Sequence, residues 1–269
     1  LRYIESQLGP AGLERSRIEL RQGSAEQLGD LAPGSFDTVV VNSVAQYFPS
    51  ADYLAEVIAR AADAVRPGGS IFLGDLRSLP LLAAFHTSLE LFAAAPETPP
   101  AELRQKVQAR RRLENELVID PAFFTALRRR LPRLGRIEVH PKHGTAHNEL
   151  TAFRYQVVLR LDETGPAAPS VEGLPGLDWK REGLTLAALR RRLAENAPET
   201  LGLRNVPNAR SAEAGAAARL LAREESGTAG DLRRLAAAAT TGAVEPQEIW
   251  DLARELPYEV ELGWASPGD

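Results

Sequence analysis

Three stretches of the chain put polar and charged side chains where buried apolar runs meet solvent. Gly23-Ser24-Ala25-Glu26 follows the alternating run RIELRQ, Asn42–Ser50 (NSVAQYFPS) follows FDTVVV, and Gly74-Asp75-Leu76-Arg77 follows SIFL. The second stretch is the richest. Asn42, Ser43, Gln46 and Tyr47 bring two amides, a hydroxyl and a phenol to one turn, far more polarity than capping a helix requires. Amide and carboxylate oxygens accept N–H donors and can orient an amine's lone pair, which makes Asn42, Gln46, Asn148 and Glu149 candidates for that task. The ring of Tyr47 could face a cation, a contact worth about 0.5–2 kcal/mol. His86, in AFHTS, could act as a base or hydrogen-bond a substrate, or be structural. Arg77 could bind a carbonyl group or pair with Asp75. His140, His143 and His147 share a loop, but their spacings fall on no predicted helix and the chain has no cysteine, so no metal site is expected.

The elements that must position these residues follow from periodicity. Leu1–Leu8 has helical spacing and ends at Gly9-Pro10. Arg17–Gln22 alternates like a short strand. Phe36–Asn42, with three consecutive valines, reads as a parallel strand buried on both faces. A helix capped by Ser50 or Asp52 runs through Val65 and stops at Pro67-Gly68-Gly69, before a strand over Ser70–Asp75. Helical patterns cover Leu79–Ala95, Ala101–Glu116 and Pro121–Leu131, and strands cover Arg136–His140 and Ala152–Leu161. The loop Pro141–Thr151 is too short for a helical crossover, so these last two strands should be antiparallel neighbours, with Asn148-Glu149 opening the final one. Strands alternating with helices predict an α/β sheet, and ligands of such a sheet bind beyond the carboxyl ends of its strands, where the three polar stretches lie.

We therefore expect a core over 1–162, a linker or loop over 163–176, and a mostly helical C-terminal subdomain over 177–269 that closes with a strand at Tyr258–Leu262. Its helices fall at Thr185–Asn196, Ala212–Ala222, Ala229–Ala239 and from Pro246 to Leu256. The net charge of −4 argues against a nucleic-acid surface, and no apolar run reaches the roughly 20 residues of a membrane span. The Arg-rich runs sit in helical patterns and read as solvated faces. The chain has no methionine, and both ends read as cuts, so an internal segment of a longer polypeptide is expected.

The strings VVVNSVAQYFPSADYLAEVI, RPGGSIFLGDLRSLPLLAAFHTS, ENELVIDPAFFTAL and HNELTAFRYQVVL stand in this order at family-like spacing. Together with RNVPNAR and VEPQEIWDLARELPYEVELGWA in the tail, they resemble the N-methyltransferase domains of nonribosomal peptide synthetases. The resemblance implies a partial class I methyltransferase (Rossmann-like) sheet ending in an antiparallel strand pair, with a mostly helical C-terminal extension. It implies S-adenosylmethionine as cofactor, held by Gly23, Ala25, Glu26, Asn42 and Ser43. Asn42, Gln46, Tyr47, His86 and Glu149 would serve catalysis, and Arg77 and Asn148 the substrate, Arg77 through its carbonyl or through the carrier's phosphopantetheine. The implied partners are a carrier domain bearing an amino acid on phosphopantetheine and an adjacent adenylation domain in a cytoplasmic assembly line. An inactive structural module, or methylation of oxygen or carbon, are the alternatives. The family's glycine-rich loop and the acidic residue that closes its second strand have no counterpart here, so the segment alone is expected to be inactive and to bind cofactor weakly.

Overall fold

Apolar residues spaced two apart along neighbouring strands build one buried face. Val41, Ile71, Leu73, Val157, Leu159 and Leu161 pack with Leu54, Ile58 and Ala61 of a covering helix. The structure, a computed structural model, describes residues 1–12, 14–27, 31–162, 176–223 and 227–263.

In the main sheet, β1 (Phe36–Asn42) pairs in parallel with β2 (Val65–Ser78). Strand β3 (Val118–Ile119) adds in parallel to the far end of β2. Strands β4 (Leu134–Pro141) and β5 (Arg154–Leu161) are antiparallel neighbours, as the short connection requires. β5 also inserts between β2 and β4, giving the order β1-β2-β5-β4. One antiparallel strand slotted into a parallel sheet is the ending expected for a class I methyltransferase.

The helix α1 (Arg2–Leu8) precedes the sheet, and α2 (Ala51–Ala64) begins at Ser50, whose side chain accepts from the Tyr53 N–H at 3.1 Å. It ends where β2 begins, so Pro67-Gly68-Gly69 lies inside the long strand. Helices α3 (Leu82–Ala93), α4 (Pro100–Arg112) and α5 (Ala122–Leu127) follow β2 and β3. α4 stops before Glu114 and Glu116, which the sequence pattern had carried inside the helix. Further along, β6 (Gly176–Asp178) and β7 (Gly202–Arg204) form a parallel pair around α7 (Leu186–Asn196). Helices α8 (Ala212–Ala222) and α9 (Ala229–Ala238) pack on α3 and α4 through Leu91, Leu103, Val107, Ala217 and Leu232. The last helix, α10 (Pro246–Glu255), shares a separate small core with α7 through Trp179, Leu189, Ile249 and Leu252. No helix among the described residues is long and apolar enough to cross a membrane.

Several expectations are corrected. Arg17–Gln22 is not a strand; beyond a single 3-10 turn at Arg15–Arg17 it is irregular. Its two apolar residues cannot hold an extended segment that no neighbouring strand pairs. Val40 is 63% exposed rather than buried, because β1 is an edge strand whose outer face nothing covers among the described residues. Asn148-Glu149 do not open the last strand. Asn148 caps the short helix α6 (Glu149–Phe153), and β5 begins at Arg154. Tyr258–Leu262 is not a strand, and β6 and β7 were not foreseen. Of the expected linker 163–176, residues 163–175 lie outside the described residues.

Tyr155 ties the sheet to the segment that carries Glu114 and Glu116. It is fully buried, and its hydroxyl donates to the Ile119 carbonyl at 2.9 Å. Tyr155→Phe removes this bond, while the Leu79 N–H still donates to the same carbonyl at 3.2 Å, and should lower unfolding stability by about 0.5–1.5 kcal/mol in urea titration.

Candidate functional site

The carboxyl end of β1 lies beside Gly74 and Asp75 of β2, which does not end at Asp75 as expected but runs on to Ser78. Asn42 is in register with Gly74. A Cβ built on Gly74 would come within 1.9 Å of Asn42 Oδ1, so only glycine lets the amide lie over this strand. The Ser43 N–H donates to the Gly74 carbonyl at 3.3 Å, and the Asn42 amide donates to Ser43 Oγ at 3.2 Å. Ser43 and Asp75 both leave the extended region, with φ of 57° and 60°. The β2–β5 ladder is irregular between Leu73 and Leu76. A break of that kind re-aims a side chain. Asp75 is thus turned toward Ser43, whose hydroxyl donates to its carboxylate, while the Lys142 ammonium takes the other oxygen. Burial pushes the Asp75 carboxyl up, but Lys142 and the Ser43 hydroxyl outweigh it and hold it below the ordinary carboxylate value.

Beyond Ser43 the chain makes a 3-10 turn, Ala45–Tyr47, which separates two candidates. Gln46 points inward and is 5% exposed. Its main-chain carbonyl accepts from the Leu117 N–H at 2.7 Å, and its side-chain oxygen has no partner among the described residues. Tyr47 points outward, 72% exposed. The first stretch joins the same rim. The Tyr53 hydroxyl, one turn into α2, donates to Glu26, and Phe48 packs edge-on against Tyr53 at 4.9 Å. Ala25 and Glu26 are half-buried, whereas Gly23 is exposed.

Behind the rim is a network of charges built around two buried arginines. Arg77 and Arg154 stand opposite each other on β2 and β5. Like charges directly opposed repel, and three glutamates hold them together. Glu149 accepts from Arg77 at 2.7 Å and from Arg154 at 2.8 Å, and Glu116 lies 2.8 Å and 3.2 Å from the same two guanidiniums. Glu114 is 3.7 Å from Arg77 and 3.1 Å from His86 Nε2. The Arg77 guanidinium also lies over the Phe85 ring, 4.5 Å from its centroid.

The structure therefore gathers Asn42, Ser43 and Asp75 at the rim, with Gln46 and Glu26 attached to it, and gathers Arg77, His86 and Glu149 in the network. The expected pairing of Arg77 with Asp75 does not form, because Arg77 points toward the glutamates and Lys142 takes Asp75. Asn148 is engaged as a helix cap, accepting from the Thr151 N–H at 3.1 Å. The three loop histidines diverge. His140 lies against Glu138, His143 stacks on Trp250 at 3.8 Å, and His147 is 2.8 Å from Glu245. Sequence reasoning missed Glu114, Glu116, Lys142 and Arg154. For Arg154 the signal was present: an arginine opening the buried strand RYQVVLRL must have carboxylate partners, and ENEL and NEL supply them.

A family profile described as a methyltransferase domain matches residues 2–73. Over 271 aligned residues the chain is 41% identical to a chondramide synthase of Chondromyces crocatus, covering 99% of this chain and 7% of that protein. The chain carries a methyltransferase domain. This methyltransferase segment is also 31% identical to nonribosomal peptide synthetase agiA of Aspergillus flavus, over 93% of the chain and 3% of that protein. It is 40% identical to a probable non-canonical nonribosomal peptide synthetase of Salinispora arenicola, over 69% of the chain and 2% of that protein. The segment thus spans 2–7% of the length of these three curated relatives.

Burial lowers the pKa of His86 below its ordinary 6.5, with Glu114 opposing and Arg77 adding to the effect. A depressed value contributes stability that is fully present above 6.5 and is lost as pH falls through the folded value. The thermal midpoint of the methyltransferase segment should fall as the solution is acidified from about pH 7 to about pH 5, and His86→Gln should flatten part of that slope.

Proposed function

We propose that this segment serves S-adenosylmethionine-dependent N-methylation of an aminoacyl or peptidyl group tethered to a carrier domain, within nonribosomal peptide synthesis. The observation that carries the reading is the rim of Asn42, Ser43 and Asp75, where the end of β1 meets the bulge of the adjacent parallel strand β2. It stands in a chain that relatives named as nonribosomal peptide synthetases match over most of its length.

The residues present fit one side of the donor. Asn42 and Ser43 stand at the end of β1, where such a cofactor would be held, Glu26 is tied to the start of α2 that follows, and the buried Gln46 oxygen has no donor among the described residues. S-adenosylmethionine supplies the methyl group on a sulfonium. The protein's own work is then to bind, orient and desolvate. An α-amine has an unperturbed pKa of about 7.7–8.0, so a large neutral fraction is available without a strong base. Gln46 and Asn42 would accept its N–H hydrogens and aim its lone pair. The exposed Tyr47 ring would face the cation. Holding reactants in line can supply on the order of 7–11 kcal/mol. Carrier and adenylation domains are the partners this reading requires.

The test is methyl transfer by the full-length polypeptide, with isotope-labelled donor and an aminoacyl thioester on its carrier. Label on nitrogen supports the reading, and label on oxygen or carbon, or none with an intact donor site, overturns it. Gln46→Leu should slow transfer about tenfold or more while leaving the fold intact, because a hydrogen bond to a reacting amine is lost.

A further inference from the structure

We propose that Arg210 is a positioning residue that acts through the loop between β4 and α6, fixing Lys142 so that its ammonium is held on Asp75. The side chain of Arg210 is completely buried. Its guanidinium donates to the main-chain carbonyls of Lys142 and Gly144 and to the carboxylate of Glu245 at the start of α10. The residue between those two carbonyls, His143, stacks on Trp250 of α10, and the Gly144 N–H donates to Gln247 at 3.0 Å. His147 at the other end of the loop lies 2.8 Å from the same Glu245. Residues 142–147 are thus gripped from the C-terminal side, while the Lys142 side chain leaves in the other direction to reach Asp75.

The string RNVPNAR is built to aim this guanidinium. Asn205, in the left-handed region, donates to Asp178 at 2.7 Å. Val244 and Pro207 are joined at 2.7 Å, and the Asn208 side chain accepts from the Arg210 N–H at 3.0 Å. Only a planar fork with several donors can serve two carbonyls and a carboxylate at once; a lysine ammonium in its place would leave buried groups unpaired. The physical consequence is that the rotamer and loop entropy of Lys142 is lost on folding rather than when ligand arrives. The C-terminal helices, remote from β1 and β2, would in this way set the rim. The consequence for methyl transfer rests on the function proposed above; the grip on Lys142 does not.

The chain has three lysines, Lys106, Lys142 and Lys180, so amine acylation read by mass spectrometry gives the reactivity of Lys142 against two internal references. Lys142 should be acylated slowly in the wild type. In Arg210→Gln and Arg210→Lys it should react about tenfold faster, with Lys106 and Lys180 unchanged. Gln247→Ala, which removes only the Gly144 contact, should give a smaller increase and serves if the arginine variants do not fold. In the full-length polypeptide, Arg210→Lys should lower kcat for methyl transfer with little change in KM, and adding Lys142→Met should lower it no further. Unchanged Lys142 reactivity in all three variants overturns the proposal, as does faster acylation with undiminished kcat. A wild type that transfers no methyl group would defeat the functional reading while leaving the acylation result to decide the grip.

Discussion

Two left-handed residues on adjacent parallel strands, Ser43 just past the end of β1 and Asp75 at the bulge within β2, impose the geometry on which the rest of the site depends. Ser43 and Asp75 adopt φ near 60°, a region that costs a residue with a side chain about 1–3 kcal/mol. The cost is offset locally. Each departure from the strand points its side chain at the other, and the hydroxyl–carboxylate bond closes between them. Gly74 is the enabling residue, since the Asn42 amide occupies the space of its missing Cβ. The result is a short polar shelf set on an apolar sheet, at the edge where an open α/β sheet receives ligands.

The shelf is held from behind by charges that could not be buried separately. Arg77 and Arg154 face each other on antiparallel strands, an arrangement that would repel without Glu114, Glu116 and Glu149. Those carboxylates come from two different connections, the one leading into β3 and the one that forms α6. The network therefore couples elements that share few apolar contacts. Losing one partner of such a group is costlier than its net contribution to stability, because the remaining charges stay buried. Its role here is to fix where the connections after α4 and β4 lie, and through the Leu117 N–H it also fixes the turn bearing Gln46.

The sheet was legible in the sequence because its signals are strong: the valine run of β1, the helix stripe of α2, and a β4–β5 connection too short for a crossover. Legibility failed where a segment depends on its neighbours. RIELRQ alternates as a strand should, yet with no strand to pair it stays irregular. Val40 belongs to a run that reads as buried on both faces but lies on a sheet edge. In the site, the three polar stretches were found by composition alone. The partner choices were not, since nothing in the order of residues tells that Asp75 meets Lys142, 67 positions away, rather than Arg77, two positions away. The bulge at Asp75 decides it by turning that side chain across the sheet from its neighbour.

The central claim is that the rim is a coupled unit and not two loops that happen to be close. A double-mutant cycle on Ser43→Ala and Asp75→Ala, with unfolding stability as the readout, tests it most directly. The account predicts a coupling energy of more than about 0.5 kcal/mol, because each substitution removes the same bond. Strict additivity of the two substitutions would show that Ser43 and Asp75 do not act on each other, and would contradict it.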